Sequence, residues 1–405
     1  MRKDRECEAT LSFCSRSGIG LVRGHNKKYA HSPPPTERVA RLPLRMTAHA
    51  SIPAERLAER TLELVDIPSQ SRAEGALAEH VRSLLPAPLE IVHADGDAVY
   101  ARVPRAERPF VLFAGHLDTI PAGENLPGRI EGGAVIGCGA SDMKAGLAVM
   151  VELARWIAVE SPELALDPGF LFFPREELPL EESSLPGLFA ALPELDEAKL
   201  VIVMEPTDNE IQAGCLGNLY ARIIFRGQSA HSARPWQGAN AIELAIEGLR
   251  PLLEVEPLAL EQEGLTFSEV LSLTGIEAGI ADNVVPDLCV ARVNYRYAPT
   301  RTPAEAERRL RALVGEAELE LTSNSPAAPV PASSPLLERL RQAGDLALEP
   351  KQAWTPVAEF AARGLDAVNF GPGAPRYAHR ADERVEIAQL DRSFAVIRRF
   401  LSKEF

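Results

Sequence analysis

From Pro53 onward the apolar residues fall into two spacings. Leu57, Leu62, Leu64 and Val65 recur at helical intervals, and a second helical run covers residues 73–85. Residues 90–92 and 99–103 alternate instead, which predicts two strands with one covered face. Val111-Leu112-Phe113-Ala114 is a continuous apolar run that stops at Gly115, the pattern of a buried strand. A helical run at 144–158, a buried strand at 170–173, a short helix and a strand at 200–204 follow. Strands alternating with helices predict a mostly parallel sheet with helices on both faces.

The texture changes after Gly214. Residues 219–225 alternate as an open-faced strand, 240–253 form an amphipathic helical run, and 271–276 and 288–297 alternate again. Another helical run, 302–314, has Pro303 at its start. This β-α-β-β-α order predicts a small antiparallel sheet with two helices on one face, a ferredoxin-like α+β unit. The proline-rich residues 325–331 read as an extended return. A strand at 367–370 and a closing helix at 387–400 then resume the earlier pattern. The expected organisation is an α/β domain in two parts, 46–214 and 325–405, with the α+β domain inserted at 215–324.

Residues 1–45 do not fit either texture. They hold ten basic and four acidic residues in a chain of net charge −14, include Pro33-Pro34-Pro35, and show no sustained period. They are read as a disordered or spurious N-terminal extension, with Met46 as the natural start. The acidic body argues against nucleic acid and anionic membrane as partners. No apolar run reaches membrane-spanning length. The five cysteines (Cys7, Cys14, Cys138, Cys215, Cys289) are scattered and lack CxxC spacing. A disulfide framework is not expected, and a reducing cytoplasm fits.

Chemistry enters where strands end. His116 and Asp118 directly follow the 111–114 run, and Asp142 closes a glycine-containing loop before the helix at 144. That is where an α/β sheet delivers functional groups. At this point either aspartate is as good a ligand candidate as the other. Glu176-Glu177 and Glu205 follow two further strands. Of the eight histidines, His116, His231 and His379 sit in loops among small residues. One histidine so placed is commonly an ordinary surface group; three beside strand-end carboxylates are not. Such carboxylates repel one another unless cations intervene, which favours a divalent metal. Mixed imidazole and carboxylate donors favour Zn²⁺, with Co²⁺ or Mn²⁺ as options.

The segments GHLDT, GCGASDMKAG, REE, MEPT, GQSAHSARPWQGANA, NVVPD…NYRY and FGPG…AHRADE, in that order, resemble the M20 family of dinuclear metallo-amidohydrolases. The likeness is greatest to its succinyl-diaminopimelate desuccinylase branch, in actinobacterial style. The resemblance implies two divalent metal ions. Asp142 would bridge them, His116 and Glu205 would complete one site, and Glu177 and His379 the other. Asp118 would hydrogen-bond the second nitrogen of His116, and Glu176 would be the general base. His231 would donate to the oxyanion, and the resemblance implies that it comes from the partner subunit of a homodimer formed through the inserted lid domain. Arg296 would bind a substrate carboxylate, while Asn283, Asn240, Thr355, Gly371 and Gly373 would shape the pocket.

The implied reaction is hydrolysis of an N-acyl amino acid, with N-succinyl-LL-2,6-diaminopimelate the first choice. N-acetyl-ornithine or N-acetyl-lysine deacetylation and carboxypeptidase-like cleavage are the neighbouring choices. A non-catalytic binding protein on the same fold would be expected to have lost a ligand or the base, and all are present. Three departures bear on the acyl group. Thr355 is followed by proline where many desuccinylases have aspartate, Cys215-Leu216-Gly217 lacks arginine, and Glu177 is followed by the acidic run Leu-Pro-Leu-Glu-Glu.

Overall fold

The computed structural model describes residues 54–405; the expected extension at 1–45 and the start at Met46 lie outside them. An eight-stranded sheet forms the larger layer. Its order is Glu90–Asp95, Ala98–Arg102, Asp167–Phe173, Phe110–His116, Leu200–Val203, Ala367–Asn369, Ile211–Ala213, Leu348–Pro350. The four central strands, from Asp167–Phe173 to Ala367–Asn369, run parallel, with antiparallel pairs on both sides of them.

Alternation along Phe110–His116 explains why both faces are covered. Val111 and Phe113 join one core with Leu57, Leu147, Val151, Phe394 and Ile397, from the helices Ala54–Val65, Lys144–Glu160 and Ile387–Leu401. Leu112 and Ala114 point the other way, into a core with Leu188 and Phe189 of Leu185–Ala191 and Phe360 of Val357–Ala362. A helix run along each face closes the sheet from water, so its strand ends open at one edge.

A second, antiparallel sheet lies between the two halves of the first in sequence. Its order is Leu258–Gln262, Leu265–Ala278, Leu288–Tyr297, Gly217–Arg226, Glu318–Ser325. Leu219, Ala221 and Ile223 alternate inward against Ala245 and Leu249 of the helix Ala241–Leu253 and Leu310 of Pro303–Val314. Thr302 caps the latter reciprocally with Glu305, and Pro303 takes the first position, where its missing N–H costs nothing.

Five strands stand where the alternation predicts three. Leu258–Gln262 joins Leu265–Ala278 through a tight turn at Glu263-Gly264, both with positive φ. Glu318–Ser325 carries only two apolar residues, Leu319 and Leu321, so its alternation is faint. A third, three-stranded sheet joins the hairpin Arg129–Glu131 and Ala134–Ile136 to Arg384–Glu386, and so brings the segment after His379 beside the loop that leads to Asp142.

Candidate metal centre

Three adjacent parallel strands end together at the open edge. His116 is the last residue of Phe110–His116 and pairs in register with Phe173, while Ala114 pairs with Val203. The chain beyond Phe173 therefore delivers Glu176 and Glu177 to one side of His116, and the chain beyond Val203 delivers Glu205 to the other. Asp142 comes from the loop before Lys144–Glu160, and His379 from the segment after the short turn Pro375–Tyr377. His379 has φ +61° and Arg175, next to Glu176, φ +66°. Left-handed backbone at non-glycine residues is uncommon and is concentrated at functional sites.

The two oxygens of Asp142 face different partners. Oδ1 lies 3.1 Å from His116 Nε2, which is itself 3.7 Å from Glu205 Oε1. Oδ2 lies 3.6 Å from His379 Nε2, which is 2.8 Å from Glu177 Oε1. Two donor triads share Asp142, His116–Asp142–Glu205 and Asp142–Glu177–His379, and a third, His116–Glu176–Glu177, lies between them, the donors of each within 4.8 Å of one another. Donors about 2.0–2.2 Å from a tetrahedral ion stand about 3.3–3.6 Å apart, a range that the spacings of 2.8–3.7 Å bracket, so small side-chain shifts admit one ion in each of the two triads that share Asp142. Glu205 Oε1 is buried without a hydrogen-bond partner, an orphaned acceptor that a cation would satisfy. The donor chemistry fits two divalent ions sharing Asp142.

Charge crowding shows in the acid–base properties of the cluster. Burial pushes Glu205 up to about 7, with the Asp142 carboxylate adding to the rise. Burial likewise holds Glu176 well above the usual carboxylate range. Asp142 is also buried, yet its bond to His116 outweighs that and keeps it low. Burial opposes a charge on His116, but its bonds to Asp118 and Asp142 prevail and raise it. The Glu177 carboxylate raises His379 to about 9.

Asp118 meets His116 through its main chain as well as its carboxylate. His116 Nδ1 donates to the main-chain carbonyl of Asp118 at 2.9 Å, while the nearer carboxylate oxygen stands 3.6 Å away. Only Leu117 lies between the two residues, and the local turn makes the shorter bond. The carboxylate has other work. Oδ1 accepts the Glu176 N–H at 3.0 Å, and Oδ2 accepts the Glu177 N–H at 3.0 Å and the Ser71 hydroxyl at 2.8 Å. It therefore holds the Glu176-Glu177 segment against the His116 loop. Burial would raise Asp118, but His116 and these donors bring it down to about 2.

The pocket residues divide. Gly371 is a packing residue: a Cβ there would lie 2.5 Å from the Met204 carbonyl and 2.6 Å from that of Glu205. Gly373 has φ +88°, and its Cβ would strike Ser141 beside Asp142. Both bring the 371–374 turn against backbone that carries metal-ligand candidates. Asn240 spends its side-chain oxygen capping Ala241–Leu253, through the Ile242 N–H at 3.0 Å. Thr355 is buried, with an unpartnered hydroxyl. Arg296 is half-buried and donates to Asn294 at 3.0 Å.

His231 is exposed on a two-stranded ribbon, paired with Val284 and apart from the donor triads, and the exposed Asn283 next to that ribbon accepts the Ser232 N–H through its main-chain carbonyl at 2.9 Å. The Ala233 N–H donates to His231 Nδ1, which leaves Nε2 as the donor of the neutral ring.

One contributor went unassigned in the sequence. Glu383 is buried, and its carboxylate accepts the N–H groups of Gly139, Ser141 and Asp142 at 2.9–3.0 Å. The signal for it was its place four residues after His379, in the last of the quoted segments.

Residues 112–403 match the family described as Peptidase family M20/M25/M40. This chain belongs to the M20/M25/M40 family. It is 37% identical over 348 residues to the putative succinyl-diaminopimelate desuccinylase DapE of Mycobacterium tuberculosis, covering 85% of this chain and 97% of that one. It is 34% identical to the succinyl-diaminopimelate desuccinylase of Corynebacterium glutamicum, covering 85% and 95%. Among solved structures, aminopeptidase PepT of Bacillus cereus superposes with a TM-score of 0.70 at 19% identity, covering 86% of this chain and 98% of that one. The YXEP protein of Bacillus subtilis, described as a dinuclear metal-binding peptidase of the M20 family, gives 0.65 at 17% identity, covering 86% and 97%. For this M20 chain the two structures bear on fold alone. With family and donor set together, it is a metal-dependent amidohydrolase acting on a small molecule.

Proposed function

We propose that this M20 enzyme hydrolyses N-succinyl-LL-2,6-diaminopimelate to LL-2,6-diaminopimelate and succinate, in the cytoplasm. The observation that carries the reading is the pair of triads sharing Asp142, with Glu176 held beside them by Asp118. The names of the relatives at 37% and 34% identity support the acyl group. Zn²⁺ is the proposed metal, with Co²⁺ or Mn²⁺ as substitutes, because the donors mix imidazole and carboxylate. Two such ions, held by His116, Asp142, Glu177, Glu205 and His379, would polarise the scissile carbonyl and acidify a water between them.

The protein's own groups do the rest. Glu176 acts as the carboxylate: burial raises its affinity for a proton, so it takes one from the attacking water and then gives it to the leaving amine. Asp118 holds the main chain of Glu176 and Glu177 in place, so that Glu177 can serve the metal while Glu176 serves the attacking water. His231 donates from Nε2 to the developing oxyanion. Arg296 presents its fork to a substrate carboxylate, and Asn283 is assigned to the same substrate pocket.

His231 is exposed, so its role calls for a partner subunit and a closed state. We take residues 215–324 as an inserted lid and dimerisation domain, with 46–214 and 325–405 as the catalytic domain. The short strand Leu258–Gln262 covers Leu265–Ala278 only as far as Glu269. The far half of that strand keeps one open edge, and Ile276, Ile246 and Leu253 are exposed near it or on the adjoining helix. An open strand flanked by apolar side chains suits pairing with its copy across a two-fold axis.

Incubating the zinc- or cobalt-loaded protein with N-succinyl-LL-2,6-diaminopimelate should release free succinate. No succinate, with release of acetate from N-acetyl-ornithine instead, would overturn the substrate assignment and leave the hydrolase standing.

A further inference from the structure

Lys351 belongs to none of the donor triads. It follows the edge strand Leu348–Pro350 and is only 6% exposed. Burying an ammonium is costly unless it is paired and hydrogen-bonded. Among the described residues its ion-pair partner is Glu205, and at 3.9 Å that contact is longer than a hydrogen bond. Glu205 is at the same time a ligand candidate, so its charge is committed to a cation. Lys351 is left as a buried positive charge beside the metal centre, with hydrogen-bonding capacity to spare.

Its surroundings point to an anion. Pro350 pairs with Ala213, and Leu216 donates its N–H to the Ala353 carbonyl at 3.1 Å, so residues 350–353 run alongside 213–216. Arg296 pairs with Asn218 across the neighbouring sheet. The crossover 214–218, which links the two sheets, is thus flanked by Lys351 at one end and Arg296 at the other. Cys215-Leu216-Gly217 itself supplies no cation. Four residues after Lys351, the buried Thr355 hydroxyl also lacks a partner. A second cation close to the ligand Glu205, with an unfilled hydroxyl four residues along the same segment, is what a short dianionic acyl group would need at its far end.

We propose that Lys351 is a specificity-determining residue that binds the distal carboxylate of the succinyl group, so that the enzyme selects an anionic acyl chain over a neutral one. The assignment rests on the desuccinylase reading for the identity of the acyl group. Lysine suits the place as a compact point charge on a long apolar stem that can be buried. A site built to pair a charge rejects the analogue that lacks it far more strongly than an apolar pocket rejects a missing methylene.

The test compares wild type with Lys351→Met and Lys351→Gln, all zinc-loaded, with zinc content and melting temperature measured first. Succinate binding is followed by calorimetry, and kcat/KM is measured on N-succinyl- and N-acetyl-LL-2,6-diaminopimelate. Loss of a buried charge–carboxylate pair is expected to weaken succinate about 30-fold or more, and to lower the succinyl-to-acetyl ratio of kcat/KM by a similar factor. Zinc content should stay at the wild-type value. Unchanged succinate affinity, equal losses on both substrates, or loss of zinc in both variants would each overturn the assignment; equal losses would place Lys351 on the amino-acid carboxylate or in the scaffold. The two readings fail separately. If wild type releases no succinate but binds it through Lys351, the substrate reading fails and the cation site stands. If wild type releases succinate with a ratio indifferent to Lys351, the reverse holds.

Discussion

Asp118→Asn removes one acceptor and one charge while keeping shape, and the hydrogen bonds around it set the expected cost. Wild-type Oδ1 takes the Glu176 N–H, and Oδ2 takes the Glu177 N–H and the Ser71 hydroxyl. The carboxamide can accept through one oxygen only. Its less costly orientation turns the NH₂ toward Glu176 and keeps the Glu177 and Ser71 bonds. That loses one bond to a charged acceptor, about 1.5–3 kcal/mol, and leaves the Glu176 N–H facing another donor. Taking about 3–4 kcal/mol as the combined effect on the position of the base, kcat should fall about 10²- to 10³-fold. The metal donors keep their places, so zinc content should stay near two per chain and KM should move little. Succinate release under steady state, with zinc measured on the same sample, reads both. A kcat within about threefold of wild type would refute the idea that Asp118 works by holding the Glu176-Glu177 segment. A large loss of zinc would instead assign its carboxylate to His116.

Glu176→Gln should keep its metal and lose about 10²- to 10⁴-fold in kcat, since only proton transfer is removed; metal analysis and succinate release check this. Gly371→Ala should cost about 1–3 kcal/mol in thermal unfolding and weaken zinc, because the new methyl meets the Met204 and Glu205 carbonyls, which are backbone and cannot swing aside. Glu359 is pushed up to about 7 by burial, with Ser183 donating to it at 2.8 Å. A folded pKa above the unfolded one contributes stability that is full below about pH 4.5 and lost as pH rises through 7. Glu359→Gln should therefore stabilise the protein at pH 8 by up to about 3 kcal/mol and do little at pH 4.5 to 5; melting curves at both pH values decide it.

The parts of the site that could be read in the sequence are those set by local rules. His116, Glu176, Glu177 and Glu205 each follow a short apolar run, and a buried strand must hand its next residues to the sheet edge. Residues 288–297 were legible as a strand because inward and outward positions alternate without interruption. What escaped depends on contacts between distant segments. Glu383 is one acid among many in the sequence, and only folding brings its carboxylate to three N–H groups of the 139–142 loop. Lys351 carries no local mark of burial. The Asp118 carboxylate looks aimed at His116 because the two are neighbours, yet the stronger bonds run to a loop 58 residues away. The two missed strands of the inserted sheet failed for a different reason. Glu263-Gly264 is not the usual asparagine-glycine hairpin signal, and Glu318–Ser325 is too polar to stand out.

Two half-sites that share Asp142 are the core of the proposed chemistry, and the zinc stoichiometry of wild type beside Asp142→Ala examines them most directly. Two zinc ions per chain are expected in wild type, and both should be lost or bound far more weakly in the variant, because each triad gives up an oxygen. A wild type that binds only one ion, or a variant that keeps one ion as tightly as before, would contradict a shared bridge.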